Sequence, residues 1–292
     1  MRDYVIVTDS CVDLNQDQVE DMGLTVVPLS VQFGAQHFYN RPGDGPDPKE
    51  FFDRLMKGES AQTSAPNVDD FKENFRPLLQ EGKDLLYLAF SSGLSATYQN
   101  GCIALDDLRE EFPEAKIYAV DTLCASMGQG LIVYLADQEK RKGKTIEEVR
   151  DFVEANKLKV CHWFTVGHLT QLRRGGRLSA GKAVFGSLLQ VKPILHVDND
   201  GHLAAVTTVK GRKKSIEALA DKIETLIENP EGQYVFISQA QFREETEVLA
   251  AMIKKRLPVA DVIIGDIGPV IGTHTGQGVI AMFFMGKDRR TE

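Results

Sequence analysis

The stretch Phe90-Ser91-Ser92-Gly93-Leu94-Ser95-Ala96-Thr97-Tyr98 constrains the fold of this chain more than any other. It follows a continuous apolar run, Leu85 to Phe90, and opens a helix-like run that continues to about Glu111. An apolar run without alternation reads as a strand buried on both faces, which belongs to a parallel sheet covered by helices. The hydroxyls then fall at a strand-to-helix corner, where unpaired N–H groups and the helix dipole favour an anion. Gly93 lets the backbone turn, and Ser95 is placed either to cap the helix or to bind something resting on it. Upstream, Thr63-Ser64-Ala65-Pro66-Asn67 reads as a second hydroxyl-rich helix entrance. Two such entrances on one sheet can converge on one anion.

The rest of the first half repeats strand and then helix. Tyr4 to Thr8 is a buried strand ending at Asp9-Ser10, and residues 15–22 read as a helix. Leu24 to Phe33 returns to β character through Pro28, and Asn40 to Pro48 is turn chemistry throughout. Helices follow over 49–57 and after Asn67, whose pairing with Asp70 resembles a capping box. A strand over 115–120, a helix over 126–142 and a cap at Thr145 complete this half. The second half begins with a strand over 161–166 and a helix over 180–190. A hairpin follows around Asp198-Asn199-Asp200-Gly201, then strands near 234–237, 262–264 and 279–284. The expected fold is α/β with two domains: 1–157, built on a parallel sheet with helices on both faces, and 158–292, a second α/β domain.

Bulk properties exclude several classes. The net charge of −8 argues against a general nucleic-acid binder. Cys11, Cys102, Cys124 and Cys161 are scattered without metal-ligand spacing, so neither a zinc site nor a disulfide framework is expected. The N-terminus runs straight into a strand, and no apolar run approaches the ~20 residues of a membrane span. A cytoplasmic protein is the simplest reading.

Motifs for chemistry are sparse. Gly272-Thr273-His274-Thr275-Gly276-Gln277-Gly278 has three glycines but no P-loop Lys, and it enters a strand rather than a helix. No G-x-S-x-G elbow is present. Asp9, Asp121 and Asp266 stand at strand ends, where binding to adjacent backbone N–H groups is the simpler role. His274, read as a loop histidine, is the strongest candidate to donate to an anion. Between Arg173 and Lys214 nine basic residues face two acidic ones, a net of +7 in an acidic chain. That zone reads as a docking surface for an acidic partner or a phosphorylated ligand.

Taken in order, six motifs resemble the DegV family over about residues 3–286. They are Val7-Thr8-Asp9-Ser10; Thr63-Ser64-x-Pro66; Ser91-Ser92-Gly93-Leu94-Ser95-x-Thr97-Tyr98; Gly175-Gly176-Arg177-Leu178; Lys210-Gly211-Arg212-Lys213-Lys214; and Gly272-Thr273-His274-Thr275-Gly276-x-Gly278. The resemblance implies a non-catalytic, cofactor-free, lipid-binding subunit of bacterial fatty acid kinase. Such a subunit holds one long-chain fatty acid, such as palmitate, stearate or oleate, in a ligand tunnel between or beside its two domains. A separate ATP-binding kinase subunit then converts the carboxylate to an acyl phosphate for phospholipid synthesis. By the family pattern, Thr63 and Ser95 would bond the carboxylate with Ser64 beside them, and His274 and Arg173 would set the head-group environment. Arg212, Lys213 and Lys214 would face the kinase subunit. The resemblance assigns no metal and no nucleic acid, and it allows transient membrane contact.

The chain departs from the family pattern at Ala65, Asn67 and Ala96, and its 40–48 loop is longer than typical. None of these removes a proposed head-group donor. Two other classes stay open on the residues alone. One is a small-molecule phosphotransferase related to dihydroxyacetone kinases, with His274 as its covalent or acid–base residue. The other is a regulatory module that reports lipid occupancy through the basic zone.

Overall fold

The computed structural model describes residues 2–178 and 191–289. The expected helix over 180–190, with Lys182, lies outside them. In chain order the first half carries β1 (Tyr4–Asp9), α1 (Gln16–Asp21), β2 (Thr25–Val27), β3 (Ser30–Phe33), β4 (Gln36–Tyr39) and α2 (Pro48–Met56). It continues with β5 (Ala61–Ser64), α3 (Val68–Gln80), β6 (Asp84–Ala89), α4 (Thr97–Glu111), β7 (Ile117–Asp121), α5 (Met127–Arg141) and α6 (Ile146–Asn156). The second half carries β8 (Val160–Thr165), α7 (Thr170–Arg174), β9 (Val191–Val197), β10 (Leu203–Lys210) and α8 (Arg212–Leu226). After these come β11 (Tyr234–Gln239), α9 (Arg243–Arg256), β12 (Asp261–Asp266), α10 (Pro269–Thr275) and β13 (Ile280–Met285).

The parallel sheet expected for the first half has the order β2-β1-β6-β7. Every residue of β1 and of β6 is buried, as continuous apolar strands between two helical layers require. The strand order reverses direction between β1 and β6, so their carboxyl ends open the crevice where such sheets take ligands. Phe90 to Ser95 leaves β6 at that crevice. The second half is a six-stranded mixed sheet, β10-β9-β8-β13-β11-β12, and the whole is a two-domain α/β fold. The proposed division at 157/158 falls within the short 3-10 turn Lys157–Lys159 that joins α6 to β8.

Three local expectations are corrected. The β-like stretch Leu24 to Phe33 is two strands in two sheets: β2 joins β1, whereas β3 heads a three-stranded antiparallel sheet β4-β3-β5. Pro28 has no N–H to continue a ladder, and the chain changes sheet there. Thr63 and Ser64 belong to strand β5, and the helix entrance comes later, at the Asn67–Asp70 capping box that opens α3. Gly272 to Thr275 is helix, not loop: Gly268 and Pro269 start α10, and Gly276 at φ +71° ends it.

The two sheets are pinned together at the Ser91–Gly93 turn. The Ser91 hydroxyl donates to the Gly201 carbonyl at 2.9 Å, in the β9–β10 turn. A Cβ on Gly93 would lie 2.7 Å from the Asp200 carbonyl oxygen, so Gly93 serves close approach between domains rather than a left-handed turn. On another side, the buried Arg289 guanidinium donates to the carbonyls of Val160 (2.7 Å), Leu123 (2.5 Å) and Lys157 (2.6 Å). One cation thus ties α6, the β7–α5 connection and β8.

Candidate functional site

A cavity lies between the two sheets. Its first wall comes from Phe90 and Leu94 after β6, Ala125 before α5, and Cys11 in the short turn after β1. Its second wall is the face of the mixed sheet carrying His162, Phe164, Val279, Ala281 and Phe283, with α10 closing one side through Val270 and Ile271. The lining is overwhelmingly carbon. Such a space favours a long apolar ligand, each buried methylene contributing ~0.8 kcal/mol.

Polar groups gather at one end: Thr63, Ser95, Arg177 and His274. The Thr63 hydroxyl and His274 Nε2 are 2.8 Å apart. Ser95 Oγ lies 2.8 Å from Thr97 Oγ1 and accepts weakly from the Thr97 N–H at 3.3 Å. Ala96, not Ser95, takes the N-cap position of α4 and makes no side-chain cap bond, which leaves the Ser95 hydroxyl on the cavity. Arg177 Nε donates to the Leu94 carbonyl at 3.2 Å and Nη1 to Gly175 O at 2.5 Å. Burial, reinforced by the Arg177 charge, pushes the His274 imidazole down to about 4, so it is neutral at physiological pH. If Nε2 carries the ring proton and donates to Thr63, the Thr63 hydroxyl proton is left for a ligand oxygen.

Thr63, Arg177 and His274 also line an outer cleft with Gln62, Gln171 and Arg174. The polar cluster is therefore a partition, with carbon on one side and an open polar cleft on the other. Gly175 makes the partition possible: a Cβ there would lie 2.6 Å from His274 Nδ1. Gly272 does the same behind it, where a Cβ would meet the Phe52 ring at 2.7 Å.

Three sequence candidates stand elsewhere. Ser64 is exposed on the other face of β5 from Thr63, because successive strand residues alternate. Arg173 is exposed and lines neither space, whereas Arg177 from the same glycine-rich segment enters both. Arg212 is engaged within the fold, with Nε on Glu245 at 2.7 Å and Nη1 on the Gly278 carbonyl at 2.8 Å. Lys213 and Lys214 next to it are exposed.

The strand-end aspartates are structural. Asp9 is fully buried and accepts from Phe90 N (2.8 Å), Tyr87 Oη (3.2 Å) and Cys11 N (3.2 Å); Asp121 accepts from Ser92 N and Leu123 N. Asp266 accepts instead from the Gln239 side chain. One feature gave no sequence signal. Asp13, at φ +51°, is half-buried between Ser126 Oγ (2.6 Å) and Gly268 N (3.0 Å), joining the N-termini of α5 and α10. Among the described residues, no group of three or more His, Cys, Asp or Glu is placed to hold a metal ion. No helix among them is long and apolar enough to cross a membrane.

A sequence model described as "Uncharacterised protein, DegV family" matches residues 3–287. The chain is 43% identical over 286 residues to the DegV domain-containing protein CPE0026 of Clostridium perfringens, covering 98% of each. A DegV family protein from Thermus thermophilus, described by its fatty acid binding, superposes with a TM-score of 0.89 at 30% identity, covering 98% of this chain and 100% of that one. DegV of Bacillus subtilis, described as a fatty acid binding protein, gives 0.83 at 26% identity, with coverage of 98% and 100%. The six motifs, the two-domain fold and these matches agree: the chain belongs to the DegV family.

Proposed function

We propose that this protein holds one long-chain fatty acid between its domains and presents the carboxylate to a separate ATP-dependent kinase subunit, which forms the acyl phosphate. The observation that carries this reading is the partition: a carbon-lined cavity ends at Thr63, Ser95, Arg177 and His274, and of these Thr63, Arg177 and His274 also border an open polar cleft. A carboxylate there would receive hydroxyl donors while one oxygen stays reachable from the cleft. The neutral hydroxyls of Thr63 and Ser95 suit a carboxylate that must react, and the Arg177 Nε and Nη1 are already held by the Leu94 and Gly175 carbonyls rather than free for a tight ion pair. The fatty-acid-binding relatives from Thermus thermophilus and Bacillus subtilis support the ligand class. Lys213 and Lys214, exposed at the start of α8, are the proposed docking cations, with Arg212 bracing the turn beneath them.

Mass spectrometry of the purified protein, native and after solvent extraction, tests the ligand. A fatty acid in near one-to-one amount supports the reading; no bound lipid and no uptake of added palmitate or oleate overturns it. Incubation with ATP and a kinase subunit from the same cell tests the second half. Acyl phosphate should appear only with both chains, and ATP turnover by this chain alone would refute a purely presenting role.

A further inference from the structure

The floor of the cavity is set by strand register. Phe283 of β13 pairs with His162 of β8, and Ala281 pairs with Phe164, so these four side chains share the cavity face in two adjacent rows. The His162–Phe283 row is closed. The two rings meet edge to face at 5.2 Å between centroids, and each residue is only 2% exposed. The N-terminus of α5 seals that row from above: a Cβ on Gly128 would lie 2.2 Å from His162 Nε2 and 2.7 Å from Phe283 Cδ1. The Ala125 N–H donates to His162 Nε2 at 3.2 Å, fixing the ring as part of the wall.

The next row is open. Ala281 and Phe164 each keep 6% exposure although both lie in the interior, because they face the void. On the other side of Ala281 its strand partner is Ser238, whose hydroxyl is 3.0 Å from Ser126 Oγ, so that flank is filled. Ala281 is thus the small side chain on the floor between Phe164 and the closed His162–Phe283 row. Val279, two residues back on the same face, is joined by Gly276-Gln277-Gly278 to α10, which carries His274.

We propose that Ala281 sets the usable depth of the cavity: its methyl leaves the space for the distal part of the acyl chain, and the His162–Phe283 pair is the stop. This rests on the fatty-acid reading above. The consequence is selection by chain length at a β13 position separate in sequence from the head-group residues. Each methylene denied burial weakens binding roughly fourfold, so loss of two or more costs over tenfold.

The test compares laurate and stearate on wild type, Ala281→Leu and Ala281→Phe, by competition binding and by native mass spectrometry of the loaded proteins. Stearate affinity should fall at least tenfold in Ala281→Phe and by less in Ala281→Leu, while laurate stays within about threefold of wild type. Stearate binding at wild-type strength in both variants, with unchanged melting, overturns the proposal. If Ala281→Phe does not fold, Ala281→Leu and Ala281→Val carry the same graded test. A wild type that binds neither acid overturns the fatty-acid reading itself, whereas equal loss of both acids in the variants overturns only the role of Ala281.

Discussion

Thr63 Oγ1 and His274 Nε2 lie 2.8 Å apart across 211 residues of sequence, one on an edge strand of a small antiparallel sheet, the other on the last turn of α10. The pair closes the apolar cavity from the polar cleft, and each partner fixes the other's side chain. Thr63→Val keeps the shape and removes the hydroxyl, so carboxylate affinity should drop about tenfold, the ~1.5 kcal/mol typical of a hydrogen bond to a charged group. Ser95→Ala should act similarly, and the double variant should lose more than either. Competition binding with a melting control checks this; wild-type affinity in all three would remove the head-group assignment.

His274 supplies a pH prediction. Its folded value is lowered to about 4 from 6.5, so the unfolded chain binds the proton more tightly. The stability it confers is present above pH 6.5 and is lost as pH falls toward 4. Imidazole NMR should find a neutral ring from pH 8 to 5, and His274→Gln should flatten part of the acid destabilisation. A ring titrating near 6.5 would contradict the burial.

The glycine of the partition is equally testable. Gly175→Ala places a methyl 2.6 Å from His274 Nδ1, and the ring must move off Thr63. Fatty acid affinity should fall at least as far as in Thr63→Val, with little change in melting, because α7 is short and lies at the cleft. Unaltered affinity would mean that the ring is free to shift.

These residues also separate what the sequence made legible from what it did not. β1 and β6 were readable because burial on both faces leaves continuous apolar runs, and the Asn67–Asp70 capping box and the cap at Thr145 because they are local. Motif order reached the polar cluster through Thr63, Ser95 and His274. Composition could not tell Thr63 from Ser64, since only strand alternation turns one inward. Nor could it tell Arg173 from Arg177, since the choice depends on how the chain turns at Gly176, φ +66°. Gly272 to Thr275 looked like loop because its glycine serves contact with Phe52, a partner 220 positions away.

The basic zone divides in the same way. Lys213→Glu with Lys214→Glu should slow association with a kinase subunit and reduce its salt dependence, leaving melting within about 0.5 kcal/mol of wild type. Arg212→Ala should instead lower stability, because Arg212 holds Glu245 and the Gly278 carbonyl and stacks over Phe242 at 4.8 Å. Equal kinetic effects with equal loss of stability in both variants would dissolve the distinction.

Asp13 gives the opposite pH signature to His274. Burial raises its carboxyl from 3.8 to about 7, despite the bonds from Ser126 and Gly268 that favour the charged form. The folded state then holds the proton more tightly than the unfolded one. The stability this provides is complete below pH 3.8 and is lost as pH rises through about 7. Asp13→Asn keeps a side chain tolerant of φ +51°, can still accept from Gly268 N, and removes the titration. Urea unfolding of both proteins from pH 5 to 8 should show the variant gaining on the wild type as pH rises. A constant difference across that range would mean that Asp13 ionises as an ordinary carboxylate and that the junction of α5 and α10 is open to water.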